Sequence, residues 1–472
     1  MRRLAAAIVI LCAGLQTAGA ADTTPPPAPP PGTSPPPGPP LSGTRPNIVV
    51  ILTDDQRADS MFFMPKTRHW FEEGGTRFTE AYANTPLCCP VRSSLMSGRY
   101  QHNHGVKDNQ SAKALDQSAT LQKYLHDGGY QTALDGKFLI SWPLPKPPPN
   151  FDHFAHFHGN YNDVPWNVDG TVSTPKQYVT DFQSDRAIDF LGDFAKDPTR
   201  PWYLYLTPQA PHADFTPAQQ YANAPVPAWE PSPAVTESDR SDKPDFIRNQ
   251  HFARSSAEAA RTGQLRTLLS VDDMVDRFFT HLQATGQLDN TLAIYTSDSG
   301  WLYSEHGLHS KAVPYTDSVA VPFYVRWPGH VAAGVTDPRP VGLLDITPSA
   351  LAAAGLSPNL KYPFDGRSFF SGGGRTESLL EYHYSPDFTS IPSWASIRSA
   401  RFQYIEWYKD EAGTTLRARE YYDLANDPWQ LVNLLGDGDA TNDPSPAVLA
   451  DLAARLARYR QCKGTAEPTA CP

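Results

Sequence analysis

Residues 84–105 read Asn84-Thr-Pro-Leu-Cys88-Cys89-Pro90-Val-Arg92-Ser-Ser-Leu-Met-Ser-Gly98-Arg99-Tyr-Gln-His102-Asn103-His104-Gly105. Inside it lies Cys-x-Pro-x-Arg, from Cys88 to Arg92, followed by Ser-Gly-Arg. Pro90 suits the first residue of a helix, where a missing N–H costs nothing. Gly98 is placed to end that helix. The spacing therefore predicts a short helix with Cys88 and Cys89 at its N-terminus, where free N–H groups and the helix dipole favour an anion. The alternative is a buried or disulfide-bonded cysteine pair on an ordinary helix start.

Upstream, Arg45-Pro46-Asn47 opens the folded chain. Ile48 to Thr53 is a continuous apolar run of the kind found in a central parallel strand, with Asp54-Asp55 at its C-terminal end. Similar runs recur at Trp202 to Leu206, Leu292 to Thr296 and Pro322 to Val325. Between them, Leu268, Val271, Met274, Val275, Phe278 and Leu282 keep three–four spacing, which predicts a helix over 268–285 closed by Gly286. Strands alternating with helices imply an α/β fold, a mostly parallel central sheet sandwiched by helices. Functional sites in such folds gather at the carboxyl ends of the strands. From about Glu377 the pattern changes. Ser396 to Trp407 and Glu420 to Leu424 read as antiparallel strands, and Ala447 to Arg460 as an amphipathic helix. The expected organisation is a catalytic domain over 45–376 and a smaller α+β C-terminal subdomain over 377–472.

The N-terminus reads as a secretory signal over 1–20: Arg2 and Arg3, an apolar core from Leu4 to Leu15, then Ala18-Gly19-Ala20. The core is too short to span a membrane, and no later stretch reaches that length without charges. Residues 21–44 are largely Pro, Gly, Ser and Thr, a stiff linker. The protein is therefore expected to be secreted, extracellular or periplasmic, with no membrane span. Without Arg2 and Arg3, 38 basic residues face 50 acidic ones, a charge of −12 with His neutral. That argues against nucleic acid as a partner and against long-range attraction to polyanions. Of the five cysteines, Cys12 leaves with the signal. Cys462 and Cys471 most simply form a disulfide in an exported protein. Cys88 and Cys89 are left over, and adjacent cysteines rarely pair with each other.

The order of motifs resembles the type I sulfatase family. Arg45 to Gln56 reads RPNIVVILTDDQ. The Cys88 signature follows, then Gly136-Lys137, Ala210-Pro211-His212, Thr296-Ser297-Asp298-Ser299-Gly300 and Lys311. Cys88-Cys89-Pro90, His102-Asn103-His104 and Leu268-Leu269-Ser270-Val271-Asp272-Asp273 are most similar to the N-acetylglucosamine-6-sulfatases. Tyr422-Asp423-Leu424-Ala425-Asn426-Asp427-Pro428 with Asn433-Leu434 matches the wider family.

This resemblance implies an alkaline-phosphatase-like fold and a sulfuric ester hydrolase acting on a sulfated sugar or an aryl sulfate. It also implies that a formylglycine-generating enzyme oxidises Cys88 to formylglycine before folding. A sulfate ester is anionic, and a hard divalent cation held by carboxylates can neutralise and orient it. Asp54, Asp55, Asp298 and Ser299 match the metal positions, completed by the residue made from Cys88, with calcium as the ion and magnesium as the alternative. By the same resemblance, one hydroxyl of the hydrated aldehyde attacks sulfur in line, with Asp298 as base. The second hydroxyl later expels sulfate. His212 and Lys311 match the groups that hold the sulfate and protonate the leaving oxygen. Arg92 and Lys137 match those that hold the diol and the carboxylates. Without this context, Asp54-Asp55 would read as a helix cap or turn, Lys137 as a solvated side chain and His212 as a structural histidine.

Two positions depart from the family. Ser299 stands where many sulfatases have Asn. Gly136-Lys137 is followed by Phe138-Leu139-Ile140, with neither the His nor the Asn found shortly after the Lys elsewhere, so either the base for sulfate release comes from elsewhere, with His102, His104 and water as candidates, or that step is slow. Two further readings therefore stay open: a phosphodiesterase or phosphonate monoester hydrolase of the same superfamily, and a catalytically impaired sulfated-glycan binding protein. With a net charge of −12 a compact pocket and exo-type removal of one sulfate are expected, with Trp394 facing the sugar ring.

Overall fold

The computed structural model describes residues 45–371, 374–467 and 469–472. The expected secretory signal over 1–20 and the Pro-rich stretch over 21–44 lie outside the described residues. Among those residues, no helix is long and apolar enough to cross a membrane.

Strand β1 (Asn47–Thr53) is buried at every position. Ile48, Val50 and Leu52 enter one hydrophobic core, while Val49 and Ile51 enter a second core on the opposite face. A strand apolar on both faces must be covered on both faces, which fixes it at the centre of a sandwich. The other strands of its sheet are β2 (Thr76–Phe78), β3 (Gln131–Gly136), β4 (His153–Phe157), β5 (Trp166–Val168), β6 (Thr171–Ser173), β7 (Trp202–Thr207), β8 (Thr291–Ser297), β9 (Phe323–Arg326) and β10 (Val335–Asp337). The ten lie in the order β10-β2-β9-β8-β1-β7-β3-β4-β5-β6. The central run β8-β1-β7-β3-β4 is parallel throughout. Antiparallel pairing is confined to the flanks, where β9 joins β8 and β2, and β5 joins β4 and β6.

Helix α1 (Cys88–Ser97) is followed by the single-turn α2 (Gln101–His104). Helices α3 (Val179–Phe194) and α4 (Arg254–Ala284) pack together on the β1 face that carries Val49 and Ile51. Helix α4 starts at Arg254, well before the expected Leu268. Its first turns are largely polar and bury only Ala257, Ala260 and Leu265 among their apolar residues, so the apolar stripe becomes visible only from Leu268 onward.

The C-terminal sheet is β11 (Ser378–Tyr382), β12 (Trp394–Arg398), β13 (Gln403–Tyr408) and β14 (Leu416–Tyr422), antiparallel throughout. Helix α5 (Pro446–Tyr459) follows, with the Ser445 hydroxyl accepting from the Val448 N–H at its start. Leu380, Trp394, Ile405 and Trp407 share one core with Tyr82, Leu87, Leu302 and Val319, so this sheet is packed directly on the segment leading into α1. Cys462 and Cys471 are bonded to each other, and Cys88 and Cys89 are free.

Candidate active site

Four neighbouring parallel strands end at one place. Thr53 of β1 pairs in register with Ser297 of β8, which sets Asp54-Asp55 beside Asp298-Ser299. Gly136 of β3 pairs with Thr207 of β7, which brings Lys137 toward the loop carrying His212. Gly136 has φ +115, and a Cβ there would meet the Thr207 carbonyl oxygen at 2.1 Å, so only glycine lets the chain turn Lys137 inward.

Helix α1 delivers Cys88. The residue before it, Leu87, is extended, and the first helical hydrogen bond runs from the Val91 N–H to the Leu87 carbonyl. The helix thus starts at Cys88 and Pro90 is its third residue, two positions later than the sequence expectation. Pro90 is tolerated there because N–H groups of the first turn lack helical partners in any case. Gly98 closes the helix at φ 66 as expected. The Cys89 N–H is not free: it donates to Asn109 Oδ1 at 3.0 Å.

Oxygens of Asp54, Asp55 and Asp298 and the sulfur of Cys88 all lie within 4.8 Å of one another, and all four residues are buried. Three fixed cations surround them. Arg92 donates from Nε to Asp298 Oδ2 at 2.9 Å and from Nη1 to the Lys137 carbonyl at 2.9 Å, and its Nη2 is 3.5 Å from Asp54. The Lys137 ammonium pairs with Asp54, and that of Lys311 pairs with Asp55 and lies 3.0 Å from Cys88 Sγ. His212 Nδ1 donates to the Ala213 carbonyl at 2.6 Å, which turns Nε2 toward Asp55 Oδ2 at 3.7 Å. The Tyr161 hydroxyl holds the His212 carbonyl.

Burial alone would raise the Asp54 pKa, but Lys137, His212, Arg92 and Lys311 together hold it well below the usual carboxylate range. Asp298 is pushed upward, by burial first and by the nearby Asp54 charge second. Burial likewise drives the Cys88 thiol far up, against the pull of Lys137 and Lys311. In the metal-free site, burial thus disfavours the thiolate form of an unmodified Cys88.

The site residues read from the sequence converge, with three qualifications. The Ser299 hydroxyl donates to Asp55 Oδ1 at 2.7 Å, so its proton braces a carboxylate. His102 is tied by Nδ1 to Glu381 at 2.8 Å and by Nε2 to the Cys462 carbonyl at 3.0 Å; buried His104 bonds Ser94 and Val106. Both histidines are structural, and neither is available as a second base. Trp394 is 1% exposed and donates to the Ala312 carbonyl at 2.9 Å, so it is core and does not face a sugar ring. The sequence reading missed Asn109, Tyr161 and Gln264, whose side chain donates to the Asp55 carbonyl at 3.4 Å. No local pattern marks them, because each acts on a residue far away in the chain.

Residues 46–356 match the family model described as "Sulfatase". The chain belongs to the sulfatase family. Residues 304–461 also match the model described as "N-sulphoglucosamine sulphohydrolase, C-terminal". Among curated proteins, the chain is 28% identical to the human N-acetylglucosamine-6-sulfatase over 90% of its own length and 86% of that protein. It is 33% identical to the extracellular sulfatase SULF-1 homolog of Drosophila melanogaster, over 69% of the chain and 31% of that protein, so it spans only about a third of that relative. Solved structures share the alkaline-phosphatase-like fold. One, described as a complex with its substrate D-glucosamine-2-N,6-O-disulfate, has a TM-score of 0.76 at 24% identity, covering 88% of this chain and 97% of that one. The phosphonate monoester hydrolase of Agrobacterium radiobacter has a TM-score of 0.69 at 22% identity, covering 88% and 95%.

Proposed function

We propose that this chain is a secreted sulfuric ester hydrolase that removes a sulfate monoester from a sulfated sugar such as N-acetylglucosamine 6-sulfate. The observation that carries the reading is the buried group of Asp54, Asp55, Asp298 and Cys88 ringed by Arg92, Lys137, Lys311 and His212. Relatives named N-acetylglucosamine-6-sulfatase support the sugar, and relatives named extracellular sulfatase support export.

A divalent metal fits these residues on two counts. Asp55 Oδ2 is buried with no hydrogen-bond partner, and the carboxylate donors are hard oxygens suited to calcium or magnesium. The Cys88 sulfur is the one soft group among them. Its conversion to formylglycine would give residue 88 a hard oxygen, both as a ligand and as the nucleophile toward sulfur. Asp54, Asp55 and Asp298 would hold the ion, whose chemistry is to neutralise and orient a sulfate oxygen.

The protein's own groups then divide the remaining work. Arg92 keeps Asp298 aligned and, through the Lys137 carbonyl, fixes the end of β3. Asp298, with an oxygen within 4.8 Å of Cys88 Sγ and aligned by Arg92, is suited to take a proton from the attacking hydroxyl. Lys311, beside Cys88, and His212, with Nε2 facing the site, are placed to bind the sulfate and to give the leaving oxygen its proton. Ser299 and Gln264 hold Asp55 in place.

The test is a mass spectrum of the peptide containing Cys88 from an active preparation, paired with hydrolysis of aryl sulfate, phosphate and phosphonate esters. Formylglycine with preferred sulfate release is expected. Full activity with an intact thiol would refute the mechanism, and a preference for phosphonate would move the chain to the hydrolase seen among the solved folds.

A further inference from the structure

Beside the loop that follows Asp55 lies a cavity of about 290 Å³, outside the catalytic group. Asp59, Phe62, Trp229, Glu230, Arg261 and Tyr303 line it. We propose that this cavity binds a neutral pyranose ring, a sugar unit of the substrate beyond the one that carries the scissile sulfate. The inference rests on the sulfatase reading for its link to turnover, but not for the binding itself.

Three observations carry it. The first is shape and lining. Aromatic walls with a few polar groups at the edge are the composition of a small-ligand site, and the volume sits at the small end of the usual range of about 300–1,000 Å³. Trp229 and Tyr303 meet edge to face with ring centres 6.1 Å apart, and Phe62 is 49% exposed. A large aromatic left that open beside two others offers flat apolar surface to the C–H face of a sugar.

The second is charge. Arg57 is shared among Asp59, Glu305 and Asp317, so it does not leave a spare positive charge at the rim. Arg57 holds both Asp59 oxygens in turn, so what remains is Glu230 against Arg261, a balanced edge with no excess positive charge. Carboxylates accept hydroxyl protons well and repel sulfate. A second sulfated unit is thus disfavoured and a neutral ring suits the edge, with Arg261, whose Nη1 holds the Pro227 carbonyl at 3.0 Å, as donor.

The third is continuity with the catalytic group. The Tyr303 hydroxyl bonds Gln264, and Gln264 donates to the Asp55 carbonyl. Arg57 lies over the Tyr303 ring at 4.6 Å and grips Asp59, four residues past Asp55. The cavity wall and the carboxylates therefore share one hydrogen-bonded support.

The probe is an unsulfated N-acetylglucosamine disaccharide, titrated into the full chain by calorimetry and tryptophan fluorescence. Saturable one-to-one binding is expected. Trp229→Ala should weaken it about tenfold, the loss of one aromatic wall, while Trp229→Phe should largely retain it. Phe62→Ala, at a half-exposed position where folding is not at stake, should weaken it as well. Absence of saturable binding overturns the proposal. So does equal affinity in Trp229→Ala and Phe62→Ala, which would put the sugar elsewhere. Sulfate release is not read in this experiment. Binding without ester hydrolysis in a separate assay would uphold the cavity and remove the sulfatase reading, whereas hydrolysis without binding would remove the cavity alone.

Discussion

Glu381→Gln isolates one buried ion pair that pins the C-terminal sheet to the active-site segment. His102 Nδ1 lies 2.8 and 3.0 Å from the two Glu381 oxygens, and Nε2 lies 3.0 Å from the Cys462 carbonyl. Only a doubly protonated ring donates to both sides. Burial lowers the His102 pKa, but the Glu381 charge and hydrogen bond outweigh it and raise the group from 6.5 to about 9. Burial raises Glu381, yet His102 brings it from 4.5 down to about 2. At about 1.36 kcal/mol per pH unit, the histidine shift is worth about 3 kcal/mol, and the glutamate shift is the same interaction seen from its partner. A raised histidine stabilises fully below its unfolded pKa of 6.5 and loses that contribution as pH climbs through about 9. A lowered glutamate stabilises above 4.5 and loses its contribution as pH falls toward about 2. The replacement keeps the shape, and Asp365 still faces the ring. Urea unfolding followed by fluorescence should therefore show the variant less stable by about 2–3 kcal/mol near pH 6, with the gap closing as pH approaches about 9. A gap that stays constant across this range would refute the ion-pair account and point to packing. No gap at pH 6 would show that desolvation cancels the pair.

Cys88→Ala should abolish turnover while leaving the thermal midpoint within a few degrees, because the site is braced by Arg92 and the lysines; retained turnover would count against residue 88 as nucleophile. Chelation should inactivate the protein and calcium should restore it better than zinc, since the carboxylate donors are hard oxygens. Ser299→Asn should tighten calcium binding if the position enters the shell, and unchanged affinity by calorimetry would leave Ser299 as a brace for Asp55. Reduction of Cys462–Cys471 should cost no more than about 2–3 kcal/mol, because the residues are only 9 apart in sequence. Thiol titration with full retention of activity is the expected pair of readings, and loss of activity on reduction would contradict it.

What the sequence revealed was the part of the molecule that speaks in short range. Strand β1 is legible because seven consecutive residues are buried on both faces, and the acidic pair after it marks the strand end. The first half of α4 is not, because solvent-facing residues carry no stripe. The four motifs that meet at the ends of β8, β1, β7 and β3 were legible as motifs, but their convergence depends on strand order, which no local pattern encodes. Glu381, Asn109 and Tyr161 were invisible for the same reason. Glu381 meets His102 across 279 positions, and its N–H also donates to the Asn84 carbonyl at the head of the signature stretch. Trp394 misled because an aromatic residue on an alternating strand reads alike whether it faces a ligand or a core.

The charge pattern of the site yields a prediction whose sign separates two ways of capturing an anion. Three buried carboxylates, Asp54, Asp55 and Asp298, face three permanent cations, Arg92, Lys137 and Lys311. Each set screens the other, since an unpaired buried charge costs several kcal/mol. The attraction for a sulfate ester is therefore local, inside a balanced cage, and does not extend through solvent. Outside the cage the chain carries −12 once Arg2 and Arg3 are set aside, and that field repels an anionic substrate at long range. Salt screens exposed charges beyond a Debye length of about 8–10 Å at ordinary ionic strength but scarcely touches buried pairs. Raising the salt should thus weaken the repulsion and leave the cage intact, so that kcat/KM for a small aryl sulfate rises slightly, by less than about threefold. Stopped assays from low to physiological salt measure this directly. A steep fall with salt would reveal a basic approach surface and would place the capture of substrate outside the buried cage.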